Sequence, residues 1–338
     1  MAILIGMDEA GYGPHLGPLV VAAASAEMAD EGAPDANLWR AMRGHVEQHV
    51  GKTGGRASPR RSLYGRSRVL VCDSKVAYKS GARAAGLARL ERAVLGFLAA
   101  GEVHPATLAD LLEAVEVPGE ARGEAEPWHR PESLVLPAAC DRGAVESAAA
   151  SFEKGFRAAG GRSGRLRLGF VPAARLNRLI DGGRRNKAEA LFAVAVEVLD
   201  DVRRRHPGQR IRVTMDQHGG RRRYGALLAG AFPMERVERL QESAEASRYR
   251  LSGPEGGVTE VEVRADCESY SLMAALASMA AKYVRELAMR QFNAYFRSRV
   301  PDLAPTAGYG RDAWRFLDEV RAARGASDVP EEMILRSR

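Results

Sequence analysis

The sequence predicts a single α/β domain, in which a sheet is flanked by helices. Short apolar runs bounded by glycine, proline or charged residues alternate along the chain with segments of helical periodicity. No internal repeat is evident. The 338 residues suffice to bury a large core, and the interspersed strands and helices favour one domain with two insertions over two separate domains.

The strands are predicted from alternation and from short apolar runs. Residues 259–265 place Val261 and Val263 between polar residues, which is the pattern of a half-buried strand. The other predicted strands are apolar runs at residues 1–7, 16–25, 68–72, 166–171 and 211–215.

The helices are predicted from apolar residues that recur three or four positions apart. They cover residues 84–100, 187–202 and 271–289, and the last of them carries a row of small residues suited to close packing. Two segments of mixed composition, at about 28–67 and about 102–164, are predicted as insertions, the second of them partly helical.

The composition narrows the class of protein. The chain is 46% hydrophobic and 28% charged, as in ordinary globular proteins. No apolar run is long enough for a membrane span, and the first apolar run lacks the basic segment of a signal peptide. The three cysteines have no metal-ligand spacing, so we expect a cytoplasmic protein without disulfides or a zinc site. We also expect a monomer.

The charge balance favours a polyanionic partner. The net charge is +7, and only six of the 50 basic residues are lysines. Arginine suits bidentate contacts with phosphate, which is consistent with a nucleic-acid ligand. A GC-rich genome would produce the same arginine bias without any function, so the charge alone does not decide between these explanations.

Acidic residues follow three of the predicted strands. Asp8, Asp216 and Asp266 each lie where a strand ends, and Glu9 adjoins Asp8. A single acid in such a place is usually a solvated turn residue. If the three strands are neighbours in one sheet, however, the four carboxylates converge at one edge. Clustered carboxylates bind Mg²⁺, and a pair of such ions can promote hydrolysis of a phosphodiester, so the pattern predicts a metal site.

Five blocks of the sequence resemble, in the same order, those of the type 2 ribonuclease H family. The first and fourth are the more specific. The blocks are DEAGYGPHLGPLVVAA (8–23), CDSK (72–75), VTMDQHGG (213–220), ADCESYSLMAALASMAAKYVREL (265–287) and AGYGRDAW (307–314).

This resemblance implies a ribonuclease-H-like mixed sheet and an endonuclease that cleaves RNA–DNA hybrids, including single ribonucleotides in DNA, with two Mg²⁺ or Mn²⁺ ions. The acids that it implies as catalytic metal ligands are Asp8, Glu9, Asp216 and Asp266. A segment from about 290 to 338 would contact the substrate. The residues that it implies for substrate binding are Gly11, Tyr12, Gly13, Ser74, Lys75 and Tyr309.

Several alternatives stay open at this point. Tyr12 stands where the family usually has arginine, and Glu268 either assists a metal or caps a helix. Lys282 and Arg285 could meet phosphate, although solvated helix charges are the commoner explanation. A nuclease for another structured nucleic acid and a non-catalytic nucleic-acid-binding protein are the competing functions.

Overall fold

The computed structural model describes residues 1–29, 35–48, 68–79, 83–118, 126–180, 186–253, 256–323 and 329–337. A mixed sheet lies at its centre, between two layers of helices. None of the helices in these ranges combines the length and the apolar character that a membrane crossing requires.

The described strands form a seven-stranded sheet and a separate two-stranded one. Their bounds are β1 Ala2–Ala10, β2 Leu19–Met28, β3 Val46–Glu47, β4 Val69–Leu70, β5 Gly161–Val171, β6 Arg210–Asp216, β7 Arg236–Glu242, β8 Ala246–Ser252 and β9 Val258–Arg264. The large sheet has the order β5-β2-β1-β6-β9-β8-β7, and β3 pairs with β4. Strands β1, β6 and β9 are parallel neighbours, whereas all other pairs in the large sheet are antiparallel.

The described α-helices cover both faces of this sheet. Their bounds are α1 Asp35–Ala41, α2 Ser74–Lys79, α3 Arg83–Ala100, α4 Leu108–Val115, α5 Arg142–Ala158, α6 Ala173–Ile180, α7 Lys187–Arg204, α8 Gly225–Ala231, α9 Cys267–Tyr270, α10 Leu272–Arg297, α11 Gly310–Ala322 and α12 Glu331–Ile334. Helices α3, α5 and α10 share one core with the sheet, while α7 packs on the opposite face.

Strand β1 is buried on both faces because it lies between these two layers. Ile3, Ile5 and Met7 point to the core on the α7 side, and Leu4 points to the core on the α10 side. Gly6 allows α10 to approach closely, since a Cβ at this position would lie 1.8 Å from the backbone nitrogen of Ala274. The middle of β1 and the first turn of α10 therefore pack directly against each other.

The predicted fold class, a mixed α/β sheet flanked by helices, is confirmed. The predicted helices correspond to α3, α7 and α10, and five of the predicted strands lie in the large sheet. The run at 68–72 forms only the two-residue β4, outside that sheet. The β7–β8 hairpin has no predicted counterpart because most residues of β7 are polar and exposed.

The two segments predicted as insertions differ in what the structure describes. Much of the first, 28–67, lies outside the described residues. The second, 102–164, contains α4 and α5 and the first residues of β5. Phe152 and Phe156 of α5 are fully buried in the core on the α10 side.

Candidate active site

Three acids meet where β1 and β6 end. The two strands are parallel and in register at Met7 and Met215, so Asp8 and Asp216, the next residue of each, lie side by side. Carboxylate oxygens of Asp8, Glu9 and Asp216 all lie within 4.8 Å of one another. The Glu9 backbone N–H donates to the Asp8 carboxylate at 2.7 Å, which fixes its orientation. The predicted convergence of these three acids at one sheet edge is therefore what the structure shows.

The fourth carboxylate near this cluster comes from Glu268. Asp266 is exposed and adopts a left-handed backbone conformation, with φ of +52°, just before the single turn of α9. This turn packs against β6. Ligand atoms of Asp216, Cys267 and Glu268 consequently lie within 4.8 Å of one another, whereas Asp266 belongs to no such group among the described residues. The predicted fourth acid, Asp266, therefore lies beside the cluster, where its charge raises the pKa of Asp216 and Glu268, whereas Glu268 is the acid at ligand distance from Asp216.

Burial and mutual repulsion raise the pKa of every carboxyl group in the cluster. Burial, followed by the charge of Glu9, raises the pKa of Asp8 well above its ordinary range. Burial together with Asp216 raises the pKa of Glu9 to about 7, and burial raises that of Asp216 to about 6. The pKa of Glu268 is also raised, mainly by burial. In the metal-free protein the folded structure therefore disfavours the ionised forms of these four carboxyl groups.

Lys75 and Cys267 adjoin these acids. Lys75 is an exposed residue in the first turn of α2. Its charge lowers the pKa of Glu9 and Asp216. Partial burial alone would lower the pKa of Lys75, but Asp73 and the clustered acids raise it, so the residue stays charged. Cys267 is buried, and burial together with the charge of Asp8 raises the pKa of its thiol. The thiol is consequently protonated in the metal-free protein.

The glycine-rich turn and Tyr309 lie next to each other, although they are far apart in sequence. Gly11 has φ of +90° and is buried, while Gly13 is exposed. A Cβ on Gly13 would lie 3.9 Å from the Tyr309 ring. The His15 N–H donates to the Gly308 carbonyl at 2.8 Å, which ties the turn to the loop before Tyr309. Tyr309 itself is 45% exposed and can meet a ligand.

Ser74 and Tyr12 occupy different surroundings. Ser74 is buried, and its oxygen accepts a hydrogen bond from Ser278 of α10 at 3.0 Å, which joins α2 to α10. Tyr12 is half-buried, and a Cβ on Gly219 would lie 3.1 Å from its hydroxyl oxygen. Tyr12 lines a shallow groove of about 650 Å³ together with Lys187 and Arg221. Ser74 is thus buried against α10, whereas Tyr12 borders a groove that Lys187 and Arg221 also line.

Of three further charged or titratable residues, one is paired with an acid and two are buried. Lys282 forms an ion pair with Glu286 at 2.7 Å. Arg285, which has the spacing of a solvated helix charge, is fully buried behind the glycine-rich turn. His218 is buried beside Phe192, and burial lowers its pKa to about 4, so it is neutral at physiological pH.

The donor set fits a hard divalent cation such as Mg²⁺ or Mn²⁺. Both ions prefer carboxylate oxygens, and four carboxylates are supplied here by Asp8, Glu9, Asp216 and Glu268. The raised pKa values point the same way, because a bound cation would stabilise the ionised forms that the metal-free protein disfavours.

No protein-family model and no curated protein matches the sequence. Among solved structures, the chain is similar to one in the PCNA–RNase HII complex from Archaeoglobus fulgidus (14% identity, TM-score 0.44, covering 99% of this chain and 94% of that one). It is also similar to ribonuclease H2 from Pyrococcus horikoshii OT3 (12% identity, TM-score 0.45, covering 98% of this chain and 92% of that one). A third similar structure is Bst-RNase HIII in complex with Mn²⁺ (14% identity, TM-score 0.41, covering 99% of this chain and 66% of that one). The chain is thus similar, at low identity, to solved structures of a ribonuclease HII, a ribonuclease H2 and a ribonuclease HIII.

Proposed function

We propose that this chain is a metal-dependent endoribonuclease that cleaves the RNA strand of RNA–DNA hybrids and single ribonucleotides within DNA. The observation that carries the proposal is a group of acids at one edge of the sheet, in which ligand oxygens of Asp8, Glu9 and Asp216 lie within 4.8 Å of one another and one of Glu268 lies within the same distance of Asp216. Folding holds these groups together against their repulsion. Such an arrangement is suited to divalent cations and, through them, to a phosphodiester that bare carboxylates would repel.

The clustered acids and the neighbouring Lys75 have different tasks in this proposal. Asp8, Glu9, Asp216 and Glu268 would hold Mg²⁺ or Mn²⁺, which supplies Lewis-acid stabilisation of the charge that develops on the phosphate and favours ionisation of the attacking water. The buried Asp8 is oriented by the N–H of Glu9. Lys75 is charged and exposed beside the acids, where it can attract a substrate phosphate.

Recognition of ribose is assigned to the turn and Tyr309. Gly13 is exposed and lies against the Tyr309 ring, so a nucleotide can approach the backbone of the turn without meeting a side chain. The 2′-hydroxyl is the group that distinguishes RNA from DNA, and backbone groups or a tyrosine hydroxyl can hydrogen-bond to it. The geometry therefore supports a contact with one ribonucleotide at the cleavage site.

The groove beside Tyr12 provides a path for the nucleic-acid strand. Lys187 and Arg221 supply positive charge along it, and the half-buried Tyr12 ring supplies an aromatic surface. Positive charge attracts the phosphate backbone without regard to sequence, and aromatic rings can stack on bases. These features support nucleic acid as the substrate class. They predict no preference for a particular base sequence.

The test is cleavage by the purified protein of four labelled substrates: RNA–DNA hybrid, DNA duplex with one ribonucleotide, RNA duplex and DNA duplex. Cleavage of the first two in Mg²⁺ or Mn²⁺, with none in EDTA, is the expected result. Asp8→Asn should abolish it. Glu113→Gln, which changes an exposed acid of α4, is the matched control and should cleave as wild type does.

Other outcomes would contradict the proposal in distinct ways. Cleavage of RNA duplex or DNA duplex in preference to hybrid would favour a nuclease for another nucleic acid. Binding of hybrid without cleavage in either metal would favour a non-catalytic nucleic-acid-binding protein. Full activity of Asp8→Asn would remove the acid cluster as its catalytic centre.

A further inference from the structure

One arginine holds both ends of the glycine-rich turn. Residues 11–18 connect β1 to β2, and two carbonyl oxygens of this connection face the guanidinium of Arg336. Nε of Arg336 donates to the Gly17 carbonyl at 2.6 Å, and Nη1 donates to the Gly11 carbonyl. The backbone N–H of Arg336 donates to the His15 carbonyl at 3.0 Å. Three carbonyls of the turn therefore depend on one residue.

The segment that carries Arg336, residues 329–337, is itself anchored to the domain; we refer to it as the tail segment. Leu335 forms an antiparallel bridge with Leu16. The Asn177 amide of α6 donates to the Leu335 carbonyl at 2.9 Å and accepts from the Ser337 N–H at 2.7 Å. Ile334 is buried in the core formed around α11. The contacts of Asn177 and Ile334 set the position of Arg336 independently of the turn that it holds, and the bridge to Leu16 adds a direct link to the turn.

Conformational stability alone does not account for an arginine in this place. Arg336 is 2% exposed, and the neighbouring Arg285 is 0% exposed. Burial, with repulsion from Arg285, lowers the pKa of Arg336 to about 9. Among the described residues no carboxylate lies within ion-pair distance of Arg336, and the charge of the buried Glu126, which raises its pKa, only partly offsets the effect of burial. A buried cation without such a partner is unfavourable, and an apolar side chain of similar volume would avoid that penalty.

The two buried guanidinium groups also connect the turn to Tyr309. Arg285 donates from Nη2 to the Ala307 carbonyl at 3.0 Å, and its Cζ lies 5.3 Å from the centre of the Tyr309 ring. A Cβ on Gly11 would lie 2.6 Å from Nε of Arg285, so the turn rests directly on this side chain. The turn, the loop before Tyr309 and the tail segment thus meet at one pair of arginines.

We propose that Arg336 is a positioning residue, which fixes the 11–18 turn in the shape that places Gly13 against Tyr309 and thereby determines how tightly a ribonucleotide is held at the cleavage site. This inference rests on the proposed function for the identity of the ligand. Arg336 acts through the turn and touches neither the acids nor the substrate. Its loss should loosen the turn and weaken substrate binding, while the affinity for metal stays unchanged.

The experiment compares full-length Arg336→Gln and Arg336→Lys with wild type by native-state hydrogen exchange. The reporters are the His15 and Leu16 amides, which donate to the Gly308 carbonyl, and Ile5 in the central strand is the internal reference. In Arg336→Gln we expect the two turn amides to exchange about tenfold faster or more, with Ile5 unchanged. Arg336→Lys keeps the positive charge but has a single donor nitrogen, so its exchange rates should lie between those of wild type and Arg336→Gln.

Kinetics and metal binding complete the test. Arg336→Gln should raise KM for a DNA duplex with one ribonucleotide by about tenfold, with kcat and the Mn²⁺ dissociation constant close to wild type. Arg157→Gln, at an exposed position in α5, is the matched control and should change nothing. If Arg336→Gln does not fold, Arg336→Lys provides the same comparison with a smaller expected change.

Two results would overturn the inference. The first is unchanged exchange at His15 and Leu16 in Arg336→Gln. The second is a parallel loss of Mn²⁺ affinity, which would show general loosening of the site. Hydrogen exchange requires no substrate, so it tests the role of Arg336 even if the wild-type protein cleaves no ribonucleotide-containing duplex, a result that would refute the proposed function instead.

Discussion

Asp216→Asn should stabilise the metal-free protein while it abolishes the proposed cleavage. The pKa of the Asp216 carboxyl is about 6 in the folded protein, against an ordinary value of 3.8, mainly because of burial, with a contribution from Glu268. A carboxyl group whose pKa is raised by folding binds its proton more tightly in the folded state. Its unfavourable effect on stability is therefore absent below about pH 4, grows between about pH 4 and 6, and is complete above that range.

The size of this effect on the free energy of unfolding follows from the pKa shift of Asp216. A rise from 3.8 to about 6 is about two pKa units, and each unit corresponds to about 1.4 kcal/mol. The ionised Asp216 thus lowers the free energy of unfolding by about 3 kcal/mol at pH 8. Asparagine has nearly the same shape, cannot ionise, and can still accept the hydrogen bond from the Gln217 backbone. It also removes a charge that raises the pKa of Glu9.

The assay is urea unfolding in EDTA at pH 5 and pH 8. We expect Asp216→Asn to gain about 2 to 3 kcal/mol at pH 8 and distinctly less at pH 5. Addition of Mn²⁺ should stabilise the wild type by mass action and the variant much less, because one ligand is gone. Glu113→Gln, an exposed substitution in α4, should show neither effect. A variant with no gain at pH 8, or with an equal gain at both pH values, would refute the reasoning.

Three further predictions test the site. Glu268→Gln should reduce cleavage by roughly a hundredfold or more, whereas Asp266→Asn, at the exposed position, should retain most activity; the reverse order would restore Asp266 as the fourth ligand. Tyr309→Ala should slow cleavage at a single ribonucleotide by several-fold and affect long hybrids less, while Tyr12→Arg should preserve substrate choice; equal rates for Tyr309→Ala and wild type on both substrates would exclude the assigned contact. Affinity for hybrid should fall steeply as salt rises, and a flat response would indicate that the arginine excess reflects only composition.

The sequence by itself determined the framework of this protein and three of its four clustered acids. Strands and amphipathic helices leave local periodic patterns, so β1, β6, β9 and the long α10 could be located before any tertiary contact was known. Asp8, Glu9 and Asp216 directly end such patterns. Because parallel neighbouring strands end at the same edge, their convergence followed once β1 and β6 were adjacent.

Only the tertiary structure decided which residue completes the cluster. Asp266 and Glu268 are two positions apart, and both follow a predicted strand. The choice between them depends on the left-handed conformation of Asp266 and on the single turn of α9, which direct one side chain to solvent and the other to the acids. Neither feature has a periodic signature, so local pattern could not distinguish the two residues.

The same limit applies to the buried arginines. Arg285 has the sequence spacing of a solvated helix charge, and Arg336 lies 325 positions from Gly11, one of the two glycines whose carbonyls its side chain binds. Whether a charged side chain is buried depends on the segments that pack over it, and those come from distant parts of the chain. Local sequence therefore predicted the acids that end their strands, whereas the support of the turn beside them was decided by long-range packing.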